Sequence, residues 1–192
     1  MDILLSHGYF LFEDPHELKV MKPYPPLGVL YITSHLRAQG FEVEVFDSTF
    51  QSADAFRAFV TRERPPVVGF YTNMMTRRNV VKLIPACKAA GSTVIVGGPD
   101  PANYPEEFLA HGADIVVIGE GELTLTELLP HLAKHGPRGM HHINGIVYRE
   151  EDGTLVQTAP RAYLKDLNEQ PFPARDAIAV GDGANDLGML GL

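Results

Sequence analysis

Three short segments could place chemistry side by side. Thr72-Asn73-Met74 offers hydroxyl, amide and thioether groups, while Gly97-Gly98-Pro99 and Gly119-Glu120-Gly121-Glu122 offer bare backbone and two carboxylates. Each follows an apolar run (67–71, 93–96 and 114–118), as a loop does at the end of a buried strand. In open α/β sheets ligands bind outside the carboxyl ends of the strands, and glycine there lets backbone lie against something flat or bulky. The chemistry expected is the holding of a cofactor. Each segment also has a plainer use: Thr72 or Asn73 as a helix cap, Gly97-Gly98-Pro99 as a tight turn, Glu122 as an anion at a helix N-terminus. Their convergence on one sheet edge, together with Tyr24-Pro25-Pro26-Leu27-Gly28 entering the first helix, favours the ligand.

Other chemistries find less support. The phosphate-loop pattern G-x-x-x-x-G-K-[ST] is absent, and Gly119-Glu120-Gly121 follows the fifth strand without the third glycine of a dinucleotide fingerprint. Asp2 and Asp47 do not make the acidic cluster of a phosphorelay receiver. His131 and His135 share a helix face with His141-His142 close downstream, but no carboxylate or thiolate completes an obvious cage, so they read as solvated. His7 and His16 lie in the first long loop, near the ligand edge. Cys87 sits in a helical apolar pattern and reads as a small buried hydrophobe; no catalytic residue and no metal ligand set is expected. With net charge −8 and no cationic cluster beyond Arg77-Arg78, a nucleic-acid face is not expected. No signal peptide or membrane-length apolar run is visible, so a cytoplasmic setting is expected.

The elements that must position these groups alternate, strand then helix. Strands are expected near 3–5, 42–46, 67–71, 93–96 and 114–118, and helices near 27–39, 53–64, 76–90, 105–111 and 122–135. Right-handed crossovers then build a parallel sheet. The expected fold is α/β: a three-layer α/β/α Rossmann-like (flavodoxin-like) parallel five-stranded sheet. Beyond Gly136, the runs 145–148 and 155–157 flank Asp152-Gly153, a hairpin signal, and read as a C-terminal β-hairpin appendage. Residues 164–173 have the proline and polar content of a linker.

At these residues the sequence resembles the N-terminal cobalamin-binding domain of B12-dependent radical S-adenosylmethionine enzymes. The shared pattern is P-P-L-G before the first helix, G-G-P after strand four, D-x-V-V-x-G-E-G-E at strand five, and the hairpin with its connector, over roughly residues 1–176. The resemblance implies cobalamin as cofactor. Gly97, Gly98 and Pro99 would let the corrinoid's tail pass close to backbone, with Gly119, Glu120, Gly121 and Glu122 at its far end. Thr72, Asn73 and Met74 would lie near the corrinoid's lower face, and Pro26, Leu27 and Gly28 at the helix entrance. The histidine motif D-x-H-x-x-G is missing, which implies a cobalt without that ligand and suited to methyl transfer. The family's C-x-x-x-C-x-x-C motif cannot exist here, since Cys87 is the only cysteine. An iron–sulfur cluster and S-adenosylmethionine would therefore belong to a missing radical domain or a separate partner. The division expected is a cobalamin-binding domain at 1–136, hairpin and linker at 137–176, and an atypical tail at 177–192. That tail, Gly181-Asp182-Gly183-Ala184-Asn185-Asp186, resembles the magnesium motif of haloacid-dehalogenase phosphatases but lacks a D-x-D nucleophile. A phosphatase remnant acting through Asp182 and Asp186, or a flavin- or nucleotide-binding regulatory module, is the alternative.

Overall fold

Parallel strands form where apolar runs can be covered on both faces. In a computed structural model that describes residues 1–166, 168 and 170–178, these are β1 (Ile3–Ser6), β3 (Val67–Tyr71), β4 (Thr93–Gly97) and β5 (Ile115–Val117), with the half-buried β2 (Val43–Val45) on the edge. All four neighbouring pairs among them are parallel. Antiparallel to β5 runs β6 (Ile146–Arg149), and β7 (Leu155–Gln157) pairs with β6. The result is one seven-stranded, parallel-dominated mixed sheet in the order β2-β1-β3-β4-β5-β6-β7. This corrects the expected five-stranded sheet with an appended hairpin. An uncovered β5 would leave a row of unpaired backbone groups, and β6 supplies their partners.

Two helices cover one face: α2 (Leu27–Ala38) and α7 (Gly121–His135). They pack Val29, Leu36, Leu125, Leu128 and Leu132 against Ile3, Leu5, Ile95 and Val117. The opposite face carries α3 (Ala53–Glu63), α4 (Arg77–Ala89) and α6 (Pro105–Ala110), which bury Phe56, Val60, Leu83, Ile84, Cys87 and Phe108. Three α/β/α layers follow. The first long loop contains a 3-10 turn (Leu11–Glu13) and one short α-helix, α1 (Glu17–Val20), and the segment after β4 turns into α5 (Pro99–Asn103). Four residues, or five, are too few to leave a periodic signal in sequence. Among the described residues no helix is long and apolar enough to cross a membrane. The tail with Asp182 and Asp186 lies outside the described residues.

Candidate cofactor cleft

Period-two alternation decides which side of each strand faces α2 and α7. On β3 that side carries Val67, Gly69 and Tyr71, and on β4 it carries Ile95 and Gly97. Gly97 leaves the sheet low at its carboxyl end, whereas the space over Gly69 is taken by Leu5 Cδ2, 2.7 Å from where a Cβ would stand. Above the sheet the helices also begin with glycine: Gly28 in α2 and Gly121 in α7. A Cβ at Gly28 would stand 3.6 Å from the Tyr71 ring, and one at Gly121 3.0 Å from Ile32 Cδ1. The hollow between the helices is a cleft of about 200 Å³, floored by Leu5, Ile95 and Val117 and rimmed by Gly119, Glu120 and Glu122. Its volume is below the roughly 300–1,000 Å³ of pockets that enclose a drug-sized ligand, so it suits one end of a larger molecule. Leu27, Tyr31 and Leu123 remain partly exposed, and Met74 and Met75 strongly so.

Of the residues singled out in the sequence, Gly28, Gly97, Gly98, Gly119, Glu120, Gly121 and Glu122 all line this one cleft. Six do not. Pro26 occupies the N-cap position of α2 and Leu27 its first turn. Thr72 follows Tyr71 in the alternation and is fully buried, its hydroxyl without a partner among the described residues. Asn73 turns its side-chain oxygen to the amides of Met75 (3.0 Å) and Thr76 (3.1 Å) in the turn before α4. Met74 is open to solvent, and Pro99 starts α5. Tyr71, which opens the segment 71–75 at the end of β3, lines the cleft too; the residues missed are Leu5, Val29, Ile32, Gly69, Phe70, Ile95, Val117 and Leu125. Of these only Gly69 left a signal, since glycine inside a strand marks a close approach.

Polar ties hold the cleft's surroundings. At the ends of β1 and β2, His7 is buried with Nε2 2.9 Å from Asp47 Oδ1, and its Nδ1 accepts from the Tyr9 amide at 3.3 Å. Burial alone raises the Asp47 pKa, but hydrogen bonds from His7 and Thr49 outweigh it and leave the carboxyl below its ordinary value. After β4, Arg77 donates to the buried Asp100 at 2.7 Å and lies 4.5 Å above the Tyr104 ring, which fixes α5. Burial pushes the Cys87 thiol up to about 12, so it is inert packing. His131 approaches His135 and His142 with ring centroids 5.1 Å apart, yet among the described residues no three His, Cys, Asp or Glu side chains are arranged to hold a metal ion.

Residues 18–129 match the B12 binding domain family, more than half of the chain. The chain belongs to that family. As a B12-binding domain it is 28% identical over 162 residues to an uncharacterised methyltransferase of Pyrococcus horikoshii, covering 81% of this chain and 34% of the relative. It is 30% identical over 168 residues to the hopanoid C-3 methylase of Methylococcus capsulatus, covering 83% of this chain and 31% of that protein. The chain thus spans about a third of the length of these relatives. Its fold matches that of OxsB, a cobalamin-dependent S-adenosylmethionine radical enzyme solved with aqua-cobalamin bound, with a TM-score of 0.74 at 23% identity over 91% of this chain and 24% of OxsB.

Proposed function

We propose that the chain holds cobalamin for a B12-dependent radical S-adenosylmethionine enzyme of methyltransferase-like class. The observation that carries this is the glycine-floored cleft between α2 and α7, at the carboxyl ends of the strands and inside the family-matched region. The cleft fits a corrinoid's tail: its floor is apolar, and a side chain at Gly97 would point into it. Gly97, Gly119, Glu120 and Gly121 would flank that tail. Met74, with Leu27 and Tyr31, would meet the ring outside, and Thr72, Asn73, Pro26 and Pro99 would act by fixing the surrounding loops. When bound, the corrinoid supplies cobalt's methyl-carrying chemistry. The absence of the D-x-H-x-x-G motif from the sequence supports a cobalt without that motif's imidazole. Residues 137–176 would link the 1–136 domain to an iron–sulfur radical domain, in the same chain or in a partner. The methyltransferase and methylase names of the relatives support the methyl-transfer class.

Titration with hydroxocobalamin tests the reading. A stoichiometric complex with a shifted visible spectrum that survives gel filtration is expected. Gly97→Leu should weaken it at least about tenfold, or 1.4 kcal/mol, while the far-UV circular dichroism stays unchanged. A Cβ at position 97 meets nothing nearer than Val117 Cβ at 3.6 Å, so the branch point itself has room. Retention no better than that of an unrelated Rossmann-like domain would overturn the proposal.

A further inference from the structure

After β7 the chain turns back over both helices that wall the cleft. Arg161 comes first: its Nε donates to Thr124 Oγ1 at 2.9 Å and its terminal nitrogens grip the Glu127 carboxylate, both residues of α7. The Leu164 amide donates to Glu120 Oε2 at 2.7 Å. Gln170 lies 2.8 Å from His35 Nδ1 on α2, and the other ring nitrogen of His35 is 3.3 Å from Thr126 on α7. The buried Ala174 donates its amide to the Leu30 carbonyl of α2 at 3.1 Å. The segment is pinned to α7 at its start and to α2 at its end.

Glu120 belongs to both structures. It lines the cleft, and one of its carboxylate oxygens holds the returning segment. The other oxygen has no hydrogen-bond partner among the described residues. The tail of a corrinoid carries ribose hydroxyls, and an O–H group suits a free carboxylate oxygen. We infer that Glu120 is a positioning residue that couples corrinoid occupancy to the docking of residues 161–166 and 170–176 across α7 and α2. The inference rests on the corrinoid reading of the cleft. A ligand that fixes the Glu120 side chain fixes the acceptor of the Leu164 amide, so loading tightens the segment. Coupling free energies are reciprocal: releasing the segment must weaken loading by the same factor.

Hydrogen exchange and titration on the full chain test this together. Saturating hydroxocobalamin is expected to slow exchange of amides in 161–176 about fivefold or more, the lower end of ordinary coupling. Arg161→Ala and Gln170→Ala, neither of which lines the cleft, should each speed that exchange and weaken hydroxocobalamin binding, with circular dichroism confirming folded protein. Unchanged binding in variants whose segment has been released overturns the coupling, and so does wild-type binding without any change in exchange. If either variant fails to fold, the other and the wild-type exchange comparison decide. A wild type that shows no spectral change on titration overturns the cofactor reading itself, and the coupling falls with it.

Discussion

Neighbouring glycines at the end of β4 answer to different demands. Gly97 faces the cleft and has room for a Cβ, whereas Gly98 stands at φ +106° with the Thr72 carbonyl 2.5 Å from where its Cβ would be. Backbone, not ligand, requires the second glycine. Gly98→Ala should therefore cost about 3 kcal/mol in urea unfolding, from a conformation nearly reserved for glycine plus a backbone clash. An unchanged denaturation midpoint would refute this. In sequence the pair reads as one space for a ligand, because the approach of the β3–α4 loop is a long-range fact. Thr72 is set apart for a related reason: it follows a strand into the ligand edge, but alternation gives the cleft to Tyr71. Gly119, Glu120 and Gly121 were legible because they end a strand and begin a helix within four consecutive residues of the chain.

At the level of elements, the strand–helix alternation is visible in the sequence because each apolar run is bounded by glycine, proline or charge. The hairpin strands are visible too, but not where they go. Pairing partners about thirty residues apart, such as Val116 and Val147, leave no local trace, and an Asp-Gly turn specifies a hairpin without saying what it lies against. The structure sets β6 into both cores at once: Ile146 and Tyr148 join the α2/α7 side, and Val147 the α3/α4 side. Tyr148 is fully buried and its hydroxyl donates to Glu150 at 3.0 Å. Tyr148→Ala should accordingly destabilise the whole domain by about 3–5 kcal/mol in chemical denaturation, as large-to-small changes in a continuous core do. A hairpin that merely hung from the sheet would melt separately and leave the main transition in place.

For the whole molecule, a ligand that binds only the folded state adds to stability by mass action. Hydroxocobalamin at one hundred times its Kd should add about 2.7 kcal/mol. In a chain of this size that raises the melting temperature by roughly 5–10 °C, measured by calorimetry at fixed protein concentration. No shift at saturating ligand would contradict specific binding. The hairpin carries one more consequence, which is a matter of parity. Ile146 pairs opposite Val117 and Gln157 opposite Val147, so β6 leaves the carboxyl edge of the sheet and β7 comes back to it. One extra strand would have released the chain at the amino edge, a full strand length from the cleft; two return it beside Glu120. The hairpin can therefore grow or shrink by residues without changing which side the following chain starts from, but it cannot gain or lose a single strand.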